Sequence, residues 1–138
     1  ELKIHQASRA RKVTAATNII NTVVGTSVGY SGDGGAATAA KLTGPQGVSV
    51  DTGGNIYIAD AGNHALRMVD IYTGAISTLA GTGTSGYNGD NQPAVAARLS
   101  SPRGLALGLT RGGGRIFVSD SNNNRIRTLF LKAEKLVY

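Results

Sequence analysis

The sequence predicts an all-β protein built from a repeated unit. Glycine supplies 20 of the 138 residues, which favours many turns over long helices. Short apolar and β-branched segments lie between these turns, and the segment 55–60 contains Ile56, Tyr57 and Ile58 without a polar interruption. An uninterrupted apolar run of this length is typical of a strand that is covered on both faces.

The repeat emerges when the chain is compared with itself. Tyr-Ser-Gly-Asp at 30–33 returns 57 residues later as Tyr-Asn-Gly-Asp at 87–90, and 55–60 matches 115–120 after a short insertion. The chain therefore divides into four parts. They are 1–8, which fits the repeat poorly, 9–25, the end of a preceding unit, 26–81, a first unit, and 82–138, a second unit with a C-terminal tail.

The sequence of each unit predicts four short strands. In the first unit the strands cover 47–50, 55–60, 65–69 and 75–80, and the turn at 60–64 is rich in residues that tolerate positive φ. Four antiparallel strands with both faces covered are typical of a propeller blade. We therefore predict a β-propeller segment of about two to two and a half four-stranded blades.

A long connection leads into each unit, at 25–42 and 81–99. Its alanine-rich end predicts one or two helical turns, with Pro93 at the first helical position of the second copy. Leu42 and Leu99 are expected to anchor these turns to their blades. Because both units carry the connection, a structural role is favoured over a separate function.

These motifs resemble those of the NHL-repeat family. Gly-Pro-x-Gly-Val-x-Val-Asp lies at 44–51, Asn-Ile-Tyr-Ile-Ala-Asp at 55–60 and Asn-His-x-Leu-Arg at 63–67. The resemblance extends over about residues 9–130. It implies a propeller, commonly six-bladed, whose loops bind partners, and it leaves the partner open.

The second copy departs from this family pattern at two positions. Asn124 and Ile126 stand where the first copy has His64 and Leu66. His64 is therefore interpreted as a turn residue rather than a ligand.

Catalysis and metal chemistry find little support in the residue types. The chain has no cysteine and only two histidines, His5 and His64, which are too few for the three protein ligands of a catalytic zinc site. We predict no catalytic residue, no cofactor and no enzymatic activity.

Asp33 and Asp90 are weak calcium candidates, because each Gly-Asp loop offers one carboxylate towards the six to eight oxygens required. An Asx-type turn or a helix cap is the favoured interpretation.

Two charged pairs recur in register. Asp60 with Arg67, and Asp120 with Arg127, are spaced to meet across a hairpin, and Arg11 takes the same place in the partial unit. Much of the positive charge therefore belongs to the repeat itself.

The remaining charge allows an alternative function. The formal charge is +6, and Arg9, Arg11 and Lys12 form a basic cluster that is a possible contact for single-stranded RNA or another polyanion. A second basic group, Lys132 and Lys135, lies in the C-terminal tail.

Base stacking would need free aromatic side chains. Tyr57 and Phe117 occupy matched strand positions and are predicted to be core residues. Tyr30, Tyr72 and Tyr87 are predicted to be free to stack.

The favoured function is a non-enzymatic interaction or structural module. Two blades and part of a third need neighbours to bury their faces. The expected partners are protein, either the remaining blades or other chains, with identical copies included. Nucleic acid is a less favoured partner, and no apolar run is long enough for a membrane span.

Overall fold

A computed structural model of the chain describes residues 2–5, 8–110 and 113–131. Lys132 and Lys135 lie outside these residues. Ten strands are found in the described part. They are β1 (Leu2–His5), β2 (Arg9–Thr14), β3 (Ile19–Val24), β4 (Gly47–Val50), β5 (Ile56–Asp60), β6 (Ala65–Val69), β7 (Ile76–Ala80), β8 (Pro102–Thr110), β9 (Gly113–Asp120) and β10 (Arg125–Phe130).

The strands form three antiparallel sheets that correspond to propeller blades. Blade 1 has the order β1-β2-β3, blade 2 the order β4-β5-β6-β7, and blade 3 the order β8-β9-β10. The four strands predicted for the complete unit are confirmed, with shifts of one residue at the starts of β5 and β7. The all-β propeller fold is therefore confirmed. None of the described helices is long and apolar enough to cross a membrane.

The stretch 1–8, which fits the repeat poorly, contributes strand β1 to blade 1. β1 pairs with β2 in antiparallel register, with Leu2 opposite Lys12 and His5 opposite Arg9. Ladder pairing uses backbone groups that every residue except proline carries, so a strand can form where the sequence motif is weak.

Two apolar cores hold the blades together. Between blades 1 and 2, Val24, Leu42, Ile58 and Ile76 are buried. Between blades 2 and 3, the buried side chains are Tyr57, Leu66, Leu99, Ile116 and Val118. Each large side chain buried in this way contributes about 1.5–3 kcal/mol. The predicted anchors Leu42 and Leu99 are confirmed, one in each core.

The inner strands of blades 2 and 3 approach each other at a glycine. A Cβ added at Gly47 in β4 would overlap the backbone carbonyl of Arg103 in β8. Only glycine permits this approach, which keeps the two blades in contact near the axis of the propeller.

Each connection forms one short 3₁₀ turn, at the lower end of the one or two helical turns predicted. Single 3₁₀ turns form at Ala37–Ala39 and Ala94–Ala96, and Pro93 is the residue before the second turn rather than its first helical residue. The carbonyl of Ala94 also accepts a hydrogen bond from the Gly81 N–H in the preceding loop. Ala97 then returns to extended backbone, so the turn cannot continue.

The prediction that Phe117 is a core residue is wrong for the described chain. Tyr57, at the matched position, is 3% exposed because blade 3 covers it, whereas Phe117 is 38% exposed. No further blade lies against this face of blade 3 within the described residues. Burial of this position therefore depends on a neighbouring blade and not on the strand alone.

Candidate functional site

The predicted ion pair between Asp60 and Arg67 is confirmed and lies deep within blade 2. Asp60 ends β5 and Arg67 lies in the middle of β6, where the antiparallel register brings the two side chains together. The Arg67 Nη1 to Asp60 Oδ2 distance is 3.4 Å, and both side chains are fully buried. Two charges removed from water in this way require further partners.

The inter-blade loop provides the second carboxylate. Asp33 Oδ1 lies 2.7 Å from Arg67 Nη2, and the same nitrogen donates to the Ser31 carbonyl at 3.1 Å. The Arg67 guanidinium also lies 5.0 Å from the centroid of the Tyr30 ring. A single arginine therefore holds the loop against the blade by charge, hydrogen bonding and a cation–π contact.

The favoured interpretation of Asp33 as an Asx-type turn or a cap is wrong. The 3₁₀ turn Ala37–Ala39 has no side-chain cap, and the Asp33 carboxylate is directed to Arg67 instead. An ion pair with a buried guanidinium outweighs a weak local hydrogen bond. Calcium binding at Asp33 and Asp90 stays a prediction. Among the described residues, no cluster of three or more His, Cys, Asp or Glu side chains is arranged as a metal site.

Asp60 is also hydrogen-bonded to the segment that enters the blade. It accepts from the Thr43 N–H at 2.8 Å and from Asn63 Nδ2 at 2.7 Å, and Asn63 donates to the Gly29 carbonyl as well. Burial raises the pKa of Asp60, while these hydrogen bonds and the charge of Arg67 oppose the rise. Asp60 thus ties the start and the end of the loop to the same strand.

Blade 3 contains the same arrangement, which we call the Asp-Arg-Asp network. Arg127 lies 2.9 Å from Asp90 and 3.3 Å from Asp120, so the second predicted pair is confirmed too. Asp120 accepts from the Ser100 N–H at 2.6 Å and from Asn123 Nδ2 at 2.8 Å. Two copies of one network at matched positions identify it as part of the blade architecture.

Blade 1 retains the arginine of this network without its strand carboxylate. Arg11 occupies the place of Arg67, and the Nε atoms of both arginines are buried without a hydrogen-bond partner among the described residues. His5 pairs with Arg9 at the register position where Asp60 pairs with Ala65. The network is therefore complete in blades 2 and 3 and incomplete in the described part of blade 1.

His64 is confirmed as a turn residue and has an additional contact. Its backbone is left-handed, with φ 53° and ψ 40°, and Asn124 adopts nearly the same conformation in blade 3. The Ser101 N–H donates to His64 Nδ1 at 3.1 Å, which links blade 2 to blade 3. The repeat comparison missed this contact, because Asn124 has no imidazole to reveal it.

The predicted basic cluster does not form one surface. The Arg9 guanidinium donates to the Thr26 carbonyl at 3.0 and 3.2 Å, and Arg11 is half-buried. Strand alternation places Lys12 on the face opposite Arg11, where it is exposed. Polyanion contact through Arg9, Arg11 and Lys12 therefore stays a prediction without a shared patch.

Two of the three tyrosines expected to be free are engaged. The Tyr30 hydroxyl lies 3.1 Å from Thr78 Oγ1, and the Tyr87 hydroxyl donates to Asp90 at 2.7 Å. The Arg125 guanidinium lies 3.9 Å from the Tyr87 ring centroid. Only Tyr72, of these three, is fully in solvent, at 90% exposure.

The loop carboxylates Asp33 and Asp90 are the residues whose role sequence reasoning missed. The signal was present, because Asp33 and Arg67 recur together as Asp90 and Arg127 in the two units. The two residues are 34 positions apart in blade 2, so their contact cannot be predicted from the neighbours within one hairpin.

Comparisons with known proteins agree with this architecture. A model of the Teneurin NHL domain matches residues 4–88. The Arabidopsis thaliana protein SUPPRESSOR OF QUENCHING 1, chloroplastic, is 36% identical over 102 residues, which is 74% of this chain and 9% of that protein. Human NHL repeat-containing protein 2 is 35% identical over 101 residues, 72% of this chain and 14% of that protein.

Solved structures support the fold. A structural genomics protein of unknown function from Bacteroides thetaiotaomicron superposes with a TM-score of 0.76 at 22% identity, over 91% of this chain and 30% of that chain. An auxiliary nutrient binding protein from the same organism gives a TM-score of 0.69 over 95% of this chain and 35% of that chain, also at 22% identity. The chain spans roughly a tenth of the length of the curated relatives it matches. The repeated motifs, the blades and the family match together show that this chain belongs to the NHL-repeat family.

Proposed function

We propose that this chain acts as a non-enzymatic interaction and structural module. The exposed face of blade 3 binds a further protein surface. The observation that carries the proposal is the face of blade 3 that contains Phe117, Ile126 and Phe130. Their side chains are 38%, 69% and 71% exposed. Strand alternation and the pairing of β9 with β10 place all three on one side of the sheet.

The corresponding face of blade 2 indicates what this surface is suited to bind. Tyr57 and Leu66, which match Phe117 and Ile126, are buried against blade 3. The exposed face therefore has the shape and chemistry of a surface that packs on another blade. Contiguous exposed apolar side chains of this kind mark interaction sites. The partner is a further blade of the same propeller or a blade of another chain.

An oligomerisation experiment tests this proposal. The 138-residue chain is expected to sediment as an oligomer or to aggregate, because its apolar face is otherwise in water. Ile126→Lys together with Phe117→Lys should shift the distribution towards the monomer. Tyr72→Lys is the matched control, since Tyr72 is highly exposed and lies on a turn outside this face. A wild-type monomer that melts cooperatively at all concentrations would overturn the proposal.

A further inference from the structure

The inter-blade loop that leads into blade 3 contains the only Asn-Gly pair in the sequence, Asn88–Gly89. The matched pair in blade 2 is Ser31–Gly32, which has no side-chain amide. An asparagine cyclises when the backbone nitrogen of the next residue attacks its side-chain carbonyl carbon. Glycine in the next position hinders this attack least, because it has no Cβ and the freest backbone. Asn88 is therefore a chemically distinct position in otherwise matched loops.

The backbone nitrogen of Gly89 is available for this attack. Its N–H has no hydrogen-bond partner among the described residues. Apart from its chain neighbours, no heavy atom lies within 4 Å of the position that a Cβ of Gly89 would take. Asn88 is itself exposed, so water reaches the pair. The attacking nitrogen is therefore neither bonded elsewhere nor crowded by side chains.

The side-chain amide of Asn88 is held by three hydrogen bonds. Its Oδ1 accepts from the Arg98 N–H at 2.8 Å and from Gln92 Nε2 at 3.0 Å. Its Nδ2 donates to the Ala96 carbonyl at 3.0 Å. Negative charge collects on Oδ1 when a nitrogen attacks the carbonyl carbon, and two donors already at hydrogen-bond distance stabilise that charge. The loop therefore activates the side-chain carbonyl of Asn88.

The residues that follow Asn88 fasten the loop to blade 3. Arg127 donates to the Gly89 carbonyl at 2.9 Å and forms its ion pair with Asp90 at 2.9 Å. The bonds from Asn88 to Arg98 and Ala96 close the loop on its own far end. A covalent change at Asn88 therefore acts on both sets of contacts.

We propose that Asn88–Gly89 is a site of spontaneous deamidation, and that conversion loosens the inter-blade loop of blade 3. The Gly89 nitrogen forms a bond to Asn88 Cγ, the Cγ–Nδ2 bond breaks, and ammonia leaves with the proton of the Gly89 N–H. Water then opens the cyclic imide. Opening at Cγ gives an aspartate, and opening at the backbone carbonyl gives an isoaspartate, in which the main chain is a carbon longer.

Both products remove contacts of the loop. Aspartate places an oxygen where Nδ2 donated to the Ala96 carbonyl, so that hydrogen bond is lost and two acceptors face each other. Isoaspartate displaces the Gly89 carbonyl and Asp90 from Arg127, because a methylene group enters the main chain before them. The loop of blade 2 has Ser31 at this position and does not undergo the reaction.

The test is incubation of the folded 138-residue chain in mildly alkaline buffer, followed by mass spectrometry of tryptic peptides. The peptide 68–98 contains two asparagines, so Asn91, which precedes glutamine, is an internal control. Asn88 should lose its amide while Asn91 keeps it, and Asn88→Ser should abolish the conversion. Gln92→Met should slow it several-fold, because one of the two donors to Oδ1 is removed.

Amide hydrogen exchange of the converted chain tests the loosening. The Arg98 N–H, which donates to Asn88, should exchange faster after conversion. The matched Lys41 N–H, which donates to the Ser31 carbonyl, should not change. The proposal would be overturned by conversion in the urea-unfolded chain alone, by no conversion at all, or by equal conversion of Asn91. An unslowed reaction in Gln92→Met, or unchanged Arg98 exchange in the converted chain, would also overturn it.

Discussion

Asp33 in the inter-blade loop lies 2.7 Å from the buried guanidinium of Arg67 in β6, 34 residues further along the chain. Asp60 approaches the same guanidinium from the neighbouring strand. Arg67 therefore connects a half-exposed loop carboxylate to a fully buried strand carboxylate. Loop position and blade stability are coupled through this one side chain.

Loss of the Arg67 charge should be strongly destabilising. Arg67→Met leaves Asp60 buried without its counter-ion, and we expect a loss of about 3–5 kcal/mol in the free energy of unfolding. Asp33→Asn should cost about 1 kcal/mol or less, because Asp33 is half-exposed and Arg67 keeps Asp60. Urea denaturation measures both changes. Equal losses for the two variants would contradict the asymmetry, and a double-mutant cycle of Asp60 with Arg67 should show strong coupling.

Gly47→Ala should loosen the contact between blades 2 and 3. The added methyl group would overlap the Arg103 carbonyl, and overpacking of this kind costs about 1–3 kcal/mol. The control is Gly74→Asn, because Gly74 has φ 69° with open space around it, and asparagine tolerates that conformation. Thermal unfolding should show a clear loss for Gly47→Ala and a small one for Gly74→Asn. A reversed order would exclude the steric argument.

His64→Gly should weaken the link between blades 2 and 3. Glycine keeps the left-handed backbone of this turn and removes the Nδ1 acceptor of the Ser101 N–H, at an expected cost of about 1 kcal/mol. Asn124→Gly is the matched control, because Asn124 has the same backbone conformation. Hydrogen exchange at the Ser101 amide should accelerate in His64→Gly alone. Unchanged protection of that amide would argue against the contact.

Stability should fall at alkaline pH because of Tyr57. Burial, with the hydrogen bond to Asp51 and the charge of that carboxylate, raises the pKa of Tyr57 to about 12. In an unfolded chain tyrosine titrates near 10, so the neutral phenol favours the folded state. Its contribution is complete below about pH 10 and is lost as the pH rises from about 10 to about 12.

Comparison with Tyr57→Phe isolates this effect from the titration of other groups. The variant should be less stable than wild type at neutral pH, since it lacks the 3.0 Å hydrogen bond to Asp51. The difference should shrink between about pH 10 and about pH 12. Urea midpoints measured across that range provide the test, and a constant difference would rule out this role for Tyr57.

Much of the fold could be predicted because strands and turns depend on nearby residues. The apolar run of β5 and the left-handed turn at His64 are local features, and both recur in the second unit. The Asp60–Arg67 pair also spans one hairpin, so its spacing was sufficient to predict it. The roles of Asp33, Tyr30 and Tyr87 could not be predicted, because each depends on how a long connection lies against a blade.

The sequence by itself determined the repeat, the four strands of the complete blade and the family, since these follow from short motifs that recur in order. Only the tertiary structure decided that Arg67 binds Asp33 as well as Asp60, and that Tyr57 is buried while Phe117 is exposed. The physical reason is that burial and ion pairing require a second surface. Matched residues with nearly the same strand geometry differ when one blade has a neighbour in contact and the other has none within the described part of the chain.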